Sequence, residues 1–277
     1  MIPNSSVPAS NPSAVARSIR KSLLRMVHHA NASHVGGGLS IADVLAHLYG
    51  GVLRVDPSRP NDPERDRLIL SKGHTAAALY ATLAERGFFP SEWLDHYGEE
   101  HSPLTGHTNH LVPGVDASTG ALGHGLSLGC GIALAMQRDR RPARAFVVLS
   151  DGELDEGSTW EAALFAGHHQ LEGLIAIVDY NQIQSFGNVC EILDLEPLAD
   201  KWRAFRWQVV EIDGHDHDQI AGALARLPAK AGSPTVILAR TVKGKGVSFM
   251  EGELLWHYRS PDGAQLERAL RELDDSP

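Results

Sequence analysis

Two apolar runs, each followed by polar residues, decide the fold of this chain: Ala145-Phe-Val-Val-Leu-Ser-Asp-Gly-Glu-Leu-Asp-Glu-Gly157 and Leu174-Ile-Ala-Ile-Val-Asp-Tyr-Asn-Gln-Ile183. Each run has the length of a buried strand, and a helical pattern at residues 158–169 separates the two. A strand, a crossover helix and a second strand make the strands parallel neighbours. Because parallel strands end at the same edge of a sheet, Asp151 and Asn181 are predicted to meet there.

Strand and helix patterns alternate along the rest of the chain. Strands are predicted at residues 68–70, 145–149, 174–179, 208–212 and 235–239, and helices at residues 40–49, 75–86, 122–138, 158–169, 198–206 and 217–227. An amphipathic helix that starts at Pro12 and Ser13 precedes them. This alternation predicts an α/β fold, a doubly wound and mainly parallel sheet with helices on both faces.

Composition indicates one globular domain. The chain has 277 residues, 43% of them hydrophobic, and can bury a substantial core. The apolar runs are shorter than the roughly 18 residues of a membrane span. The net charge of −9 argues against a nucleic-acid partner. We expect a flexible tail at residues 1–13, a single domain at residues 14–277, a cytoplasmic location, and packed side chains for Cys130 and Cys190.

Asp151 and Asn181 suggest a site for a metal ion and a phosphate. A carboxylate and an amide oxygen suit a hard divalent cation that also holds phosphate oxygens. Gly152 would let the backbone approach such a ligand closely. An acidic loop and an ordinary asparagine turn would give the same spacing, so the rest of the chain must decide.

Four upstream turns place histidines beside glycine or serine: Asn31-Ala-Ser-His-Val-Gly36, Leu70-Ser-Lys-Gly-His74, Thr105-Gly-His107 and Gly120-Ala-Leu-Gly-His-Gly125. An imidazole on such a loop can project into a cleft and exchange protons near neutral pH. Each histidine alone would more often be structural. Six others are interpreted as helix-face or turn residues: His28, His29, His168, His169, His215 and His217.

Together these motifs resemble the amino-terminal part of a transketolase. The thiamine diphosphate motif of that family is Gly-Asp-Gly followed about 30 residues later by Asn, and Ser150 replaces its first glycine here. The four histidine turns occur in the family's order. The resemblance covers residues 14–260 and implies the diphosphate domain of the thiamine-diphosphate-binding fold.

The resemblance also implies roles for matching residues. Asp151, Asn181 and the Ile183 carbonyl would bind Mg²⁺, which Ca²⁺ or Mn²⁺ can replace. The remaining implied roles are cofactor binding by His74, Gly120, Leu122, Gly152, Glu153, Asn181 and His257, and catalysis by His34, His107, His257 and Glu156. Glu156 would join a carboxylate network between paired sites, and Glu161 is a weaker candidate for it. Lys243-Gly-Lys-Gly246 is either a phosphate contact or a solvated basic turn.

The implied reaction is transfer of a two-carbon ketol unit from a ketose to an aldose. A complete transketolase has a second domain, which carries the glutamate that protonates the aminopyrimidine ring. Since the chain stops short of such a domain, we expect the diphosphate-binding subunit of a split transketolase, active only with a separate pyrimidine-binding subunit. Two copies of each chain, and sugar or sugar-phosphate substrates, are expected.

Two other interpretations stay open. The α subunit of a 2-oxo acid dehydrogenase shares the cofactor and the metal, but it does not account for the Ser-Lys-Gly-His and Gly-His-Thr turns. A non-catalytic scaffold that binds a diphosphate or a partner belongs to a different functional class, and an assay with the partner would exclude it.

Overall fold

The structure, a computed structural model, describes residues 11–275. In chain order the helices are α1 (Pro12–His29), α2 (Val35–His47), α3 (Ala76–Glu85), α4 (Gly125–Arg138), α5 (Gly157–His168), α6 (Val189–Ile192), α7 (Leu198–Ala204), α8 (His217–Ala225) and α9 (Gly263–Asp275). The strands are β1 (Arg67–Leu70), β2 (Ala145–Ser150), β3 (Leu174–Tyr180), β4 (Ile183–Gln184), β5 (Gly187–Asn188), β6 (Gln208–Asp213) and β7 (Thr235–Arg240). Residues 1–10 of the predicted tail lie outside the described residues.

Five parallel strands form the central sheet in the order β1-β2-β3-β7-β6. The register pairs Ser150 with Asp179 and Tyr180 with Arg240, so β2, β3 and β7 end at a common edge. The pair β4-β5 is a small antiparallel hairpin just beyond that edge. The predicted parallel sheet is therefore confirmed, and it delivers the polar residues that follow these strands to one place.

Alternate side chains of the central strands enter two separate cores. Phe146 and Val148 pack in a core with α1, α2 and α3, whereas Val147 and Leu149 pack in a core with α4 and α5. A strand that is buried on both faces needs a continuous apolar run, which explains the sequence of β2. Helices therefore cover both faces of the sheet, as predicted.

The predicted element bounds hold closely for the strands and less well for the helices. α2 begins at Val35, five residues before the prediction, because the glycines at positions 36–38 continue the helix instead of forming a turn. A Cβ on Gly38 would lie 2.3 Å from a side-chain carbon of Leu23, so α1 and α2 pack too closely for a larger residue. α4 begins at Gly125, three residues later than predicted.

Some features were not predicted. α9 and the β4-β5 hairpin were missed, although Leu266, Ala269 and Leu273 have the spacing of an amphipathic helix. Cys130 is buried as expected, but Cys190 is exposed on the short helix α6, so that prediction was wrong. Within residues 11–275, none of the helices combines the length and the apolar character needed to cross a bilayer.

Candidate cofactor and active site

A cavity of about 220 Å³ opens at the carboxyl edge of the sheet. Its lining consists of His34, Gly37, Lys72, His74, His107, Gly120, Leu122, Ser150, Asp151, Gly152, Asn181, Ile183, Gln184, Ser185, Lys243 and His257. Two other surface clefts are larger, about 510 and 570 Å³, but neither contains a buried charged side chain. The cavity does contain buried charges, which marks it as the candidate site.

The predicted metal ligands meet on one wall of this cavity. Asp151 follows β2 and is buried, and its two carboxylate oxygens accept hydrogen bonds from the backbone N–H groups of Gly152 (2.8 Å) and Gln182 (2.5 Å). Asn181 follows β3, and its Oδ1 accepts from the Ile183 backbone N–H at 3.2 Å. Gln182 has a left-handed backbone, with φ of 66°. This turn brings the Asn181 side chain and the Ile183 carbonyl into the same cavity.

These three groups fit a hard divalent cation. A carboxylate, an amide oxygen and a backbone carbonyl are the oxygen ligands that Mg²⁺ and Ca²⁺ prefer. Burial, followed by the nearby Asp179 carboxylate, raises the pKa of Asp151 to about 6. A bound cation would reverse that shift and hold Asp151 ionised.

Gly152 lies where the chain turns between β2 and α5. A Cβ on this residue would lie 2.8 Å from Cβ of Gln184, which also lines the cavity. This tight packing is enough to explain why the residue is a glycine. The missing side chain also leaves the backbone accessible from the cavity.

A buried ion pair that sequence reasoning missed lies beneath the cavity. Lys72, in the turn after β1, forms an ion pair with Asp179 at the end of β3, and both side chains are fully buried. Asp179 also accepts hydrogen bonds from Ser40 at 2.6 Å and from Thr241. Burial would raise the pKa of this carboxyl, but the Lys72 charge and the hydrogen bonds hold it below its usual range. The sequence offered one signal of this ion pair, which is that the charged residue Asp179 directly follows the apolar run 174–178.

Lys243 is the second buried lysine. Its ammonium donates to the Ile183 carbonyl at 2.8 Å and lies 3.3 Å from His257 Nδ1. Burial, followed by the Lys72 charge, lowers the pKa of Lys243 to about 8. The alternative of a solvated basic turn is therefore wrong for Lys243, whereas Lys245 is partly exposed and pairs with Glu251. Lys72 is already paired with Asp179, whereas Lys243 has no ion pair with a carboxylate within residues 11–275. The charge of Lys243 therefore favours a bound anion.

Four histidines, which we call the cavity histidines, surround the mouth: His34, His74, His107 and His257. The ring centroid of His34 lies 5.1 Å from His74, 6.0 Å from His107 and 4.9 Å from His257. The His34 backbone has a φ of 70°, and its N–H donates to the His257 carbonyl at 2.9 Å. Residues distant in sequence are thus held together by backbone geometry as well as by side chains.

Three of the cavity histidines, His34, His74 and His257, are kept neutral by their surroundings. Burial, then the His107 ring, lowers the pKa of His34 to about 4. Burial, then the Lys243 charge, lowers the pKa of His257 to about 3, and burial lowers the pKa of His74 well below 6.5. A neutral imidazole has one donor and one acceptor nitrogen, so it can hydrogen-bond to phosphate or hydroxyl groups.

Gly120 and Leu122 lie in the cavity lining, in the turn before α4. The φ of Gly120 is 158°, and a Cβ there would lie 2.8 Å from the His107 ring. Gly120 is therefore placed beside His107, the exposed cavity histidine.

The predicted glutamates lie outside the lining. Glu153 is fully buried, and its carboxylate accepts hydrogen bonds from Ser71 and from the Gly123 backbone N–H at 2.8 Å. It thereby ties the turn before α4 to the loop between β2 and α5, which is a structural arrangement. Glu156, immediately before α5, and Glu161, on α5, are both exposed.

The family profile described as "Transketolase, thiamine diphosphate binding domain" matches residues 12–271. The chain is 46% identical over 260 residues to the 6-deoxy-6-sulfo-D-fructose transketolase subunit of Clostridium sp. strain MSTE9, a match that covers 94% of each chain. It is 42% identical over 256 residues to an apulose-4-phosphate transketolase subunit of Phocaeicola vulgatus, covering 92% of this chain and 91% of that one.

The fold agrees with these relatives. Transketolase from Leishmania mexicana matches with a TM-score of 0.90 at 28% identity, over 96% of this chain and 41% of that protein. Transketolase from Campylobacter jejuni also matches with a TM-score of 0.90, at 30% identity, over 95% of this chain and 42% of that one. Motifs, fold and relatives therefore agree that this chain belongs to the transketolase family and contains its thiamine-diphosphate-binding domain.

Proposed function

We propose that the chain is the thiamine-diphosphate- and Mg²⁺-binding subunit of a two-component transketolase, which transfers a two-carbon ketol unit from a ketose to an aldose. The observation that carries the proposal is the cavity wall, where Asp151, Asn181 and the Ile183 carbonyl lie beside Lys243. This arrangement combines oxygen ligands for a hard metal ion with an ammonium group that can bind a diphosphate.

The cofactor would lie with its diphosphate toward the buried end of the cavity. Asp151, Asn181 and Ile183 would hold Mg²⁺, which Ca²⁺ or Mn²⁺ can replace, while Lys243 and Gly152 would face the diphosphate. When bound, thiamine diphosphate supplies the carbanion chemistry of the transfer. His74 and His257 would donate hydrogen bonds to phosphate oxygens, and Gly120 and Leu122 would border the aminopyrimidine, as the family resemblance implies.

The substrate would approach from the mouth of the cavity. His34 and His107 would hydrogen-bond the sugar hydroxyls, and His257 would reach both the cofactor and the substrate. Because His34 and His257 are neutral near pH 7, each can accept a hydroxyl proton without first losing its own. The three residues would orient the sugar and move protons at its hydroxyl groups.

The acidic residues Glu156 and Glu153 have different support. The exposed side chain of Glu156 is free to face a second copy of the chain, which supports a carboxylate network between paired sites. Glu153 has weaker support as a cofactor contact, because its carboxylate already binds Ser71 and Gly123. We propose that Glu153 acts on the cofactor only through the position of the turn before α4.

A second subunit is proposed to complete the site. The relatives from Clostridium and Phocaeicola are named as subunits. The cavity, at about 220 Å³, is smaller than the roughly 300–1,000 Å³ of sites that enclose a drug-sized ligand. Both facts support a pyrimidine-binding partner. Two copies of each chain are proposed from the family resemblance alone. Residues 14–277 would form the single domain, and the cytoplasm is the proposed compartment.

The substrate class follows from the same two relatives. Their names contain a sulfonated sugar and a sugar phosphate, each of which carries an anionic group at one end. We propose a ketose donor with an anionic terminus, and the partner subunit would supply most contacts to that end.

A coupled assay of ketol transfer tests the proposal. The full chain with thiamine diphosphate and Mg²⁺ should show no sustained turnover alone, and it should gain activity when its partner subunit is added. Phosphorylated and sulfonated ketoses serve as donors, and the uncharged sugar is the control. Turnover by the single chain would exclude the two-component proposal. Cofactor binding by the complex without transfer to any acceptor would favour a non-catalytic scaffold.

A further inference from the structure

A second group of titratable side chains lies beside the Lys243 segment, outside the cavity lining. This group, which we call the Asp43 cluster, comprises Arg20, Asp43, His47, His215 and His217. Asp43 on α2 accepts hydrogen bonds from the Arg20 guanidinium at 3.1 and 2.5 Å and from His215 Nδ1 at 2.7 Å. Arg20 and Asp43 are both buried, so this is a desolvated ion pair.

Both ring nitrogens of His215 are engaged. Its Nε2 accepts a hydrogen bond from the Val242 backbone N–H at 2.8 Å. A ring nitrogen that accepts a hydrogen bond carries no proton, so the proton is on Nδ1, which donates it to Asp43. Asp43 thereby selects the tautomer of His215, as carboxylates do for the histidines that bind metals.

The Val242 N–H needs this acceptor because the sheet ends just before it. The last register pair between β6 and β7 joins Asp213 to Arg240, and the Gly214 N–H still bonds the Arg240 carbonyl at 2.7 Å. Beyond that point β6 has turned away, and the His215 imidazole takes the place of the missing strand. On the other side, the Thr241 N–H bonds the Tyr180 carbonyl at 3.2 Å.

We propose that His215 is a positioning residue for the cofactor site. Its imidazole holds the backbone of Val242. The next residue is Lys243, whose ammonium donates to the Ile183 carbonyl at 2.8 Å. The Gly244 N–H, bonded to the Gly36 carbonyl at 2.9 Å, fixes the segment on the other side of Lys243. Lys243 therefore projects from a backbone that is held on both sides. This inference rests on the proposed role of the cavity as a diphosphate site.

Metal binding would be another use for three histidines and an aspartate. His47 Nε2 and His217 Nδ1 instead face each other at 2.9 Å, and both nitrogens of His215 are occupied. Among residues 11–275, no group of three histidine, cysteine or acidic side chains is arranged to hold a metal ion. The cluster is therefore better suited to positioning the chain.

Two substitutions separate the two hydrogen bonds of His215. In His215→Gln, the amide oxygen can take the place of Nε2 and accept from Val242, while the bond to Asp43 is lost. In His215→Asn, the shorter amide can replace Nδ1 and donate to Asp43, but it cannot reach Val242. Each variant thus loses one of the two hydrogen bonds of His215 and keeps the other. Both new side chains are polar and fit within the space of the original ring.

The measurement is thiamine diphosphate affinity in the Mg²⁺-loaded complex with the partner subunit, by calorimetry. His215→Asn should bind about tenfold more weakly, as expected when a group that orients a ligand-binding residue is lost. His215→Gln should stay within about threefold of the unmodified protein, because it retains the contact that orients Val242. Thermal unfolding of both variants checks that they are folded. Equal weakening by Gln and Asn would overturn the inference.

A double-mutant cycle with Lys243→Met tests whether His215 acts through Lys243. If it does, His215→Asn should change affinity less than about twofold in the Lys243→Met background, whereas a general structural effect would persist undiminished. If Lys243→Met lowers thiamine diphosphate affinity but His215→Asn does not, only the positioning role is refuted. Unchanged affinity in Lys243→Met would instead refute the proposed diphosphate contact, and the inference would fall with it.

Discussion

The cavity histidines and the histidines of the Asp43 cluster have the same side chain but different hydrogen-bond partners. In the Asp43 cluster, His215 has both ring nitrogens occupied, and a buried arginine and aspartate complete the group. The rings of His74 and His107 have no hydrogen-bonded protein partner within residues 11–275, although they lie near other rings. Histidines with unused donors and acceptors can bind a ligand, whereas satisfied histidines hold the chain in place.

The two regions should therefore respond differently to substitution. Changes in the Asp43 cluster should lower the stability of the chain, because its charges are buried and depend on one another. Changes in the cavity should lower affinity or turnover and leave stability nearly unchanged. We make four predictions from this contrast, in order of decreasing effect.

Asp43→Asn should lower the free energy of unfolding by about 3–5 kcal/mol, because Arg20 would remain buried without a counter-charge. Urea denaturation of the ligand-free chain measures this loss. Asp274→Asn is the control: it removes the charge of an ion pair with Lys21 in which Asp274 is well exposed, and should cost less than about 1 kcal/mol. A loss below about 1 kcal/mol for Asp43→Asn would contradict the view that this ion pair supports the fold.

Asp151→Ala should lower thiamine diphosphate affinity about a hundredfold, because hard-cation sites depend on the number and charge of their ligands. The free energy of unfolding should hardly fall, since the pKa of about 6 indicates that the site opposes ionisation of Asp151. Asn181→Ala should behave similarly. Calorimetry of the assembled complex with Mg²⁺ gives the affinity.

Asp155→Asn is the matched control for Asp151→Ala. Asp155 lies in the same loop, and its carboxylate accepts a hydrogen bond from the Gln184 side-chain amide at 3.1 Å. It is outside the cavity lining and outside the proposed ligand set. It should retain nearly full affinity. Normal cofactor binding by Asp151→Ala would remove the central claim about the site.

His107→Ala should lower ketol transfer about tenfold, which corresponds to one lost hydrogen bond of about 1.4 kcal/mol to the substrate. Cofactor affinity should stay unchanged, because His107 lies at the exposed mouth. Steady-state assay and calorimetry on the same preparation compare the two quantities. His110→Ala, an exposed histidine of the same loop outside the lining, is the control. Equal losses of transfer and affinity would reassign His107 to the cofactor.

The smallest predicted effect is a dependence of stability on pH. The pKa of His34 is 6.5 when unfolded and about 4 in the folded chain, so the folded state favours the neutral ring. Its stabilising contribution is complete above pH 6.5 and is lost as the pH falls from 6.5 toward 4, because the unfolded chain then binds more protons. At this half-buried site the change should be less than about 1 kcal/mol between pH 7.5 and 6.

His34→Asn should reduce that loss of stability, and asparagine tolerates the left-handed backbone at this position. His101→Asn is a close control, because His101 also has a left-handed backbone, with φ of 69°, and its side chain is 90% exposed. Denaturation at several pH values gives the slope for each protein. Identical slopes for His34→Asn and the unmodified chain would show that the pKa of His34 is not lowered.

Much of the cavity could be predicted from local sequence. Asp151 and Asn181 follow buried strands separated by one helix, and parallel pairing requires them to meet. The histidine turns were found because glycine and serine mark loops. The start of α2 was misplaced for the same reason: glycines at positions 36–38 indicate a turn locally, but close packing against α1 keeps them helical.

The buried lysines could not be predicted in the same way. Lys72 and Lys243 are 171 positions apart, and a lysine in a glycine-containing turn is usually solvated. Only the approach of their segments to Asp179 and Ile183 explains why they are buried. The carboxylate of Glu153, which the family resemblance assigned to the cofactor, is engaged by Ser71 and Gly123 through the same kind of long-range contact.

The sequence by itself determined the parallel sheet, the edge at which the proposed ligand residues gather and the family to which the chain belongs. Those features depend on hydrophobic period and on residues close together in the chain, which local patterns reveal. The tertiary structure alone decided which histidines keep free hydrogen-bonding groups and which lysines are desolvated. Those properties depend on the side chains that distant segments bring together, because burial and partners, rather than residue type, set the charge and the hydrogen bonding of a titratable group.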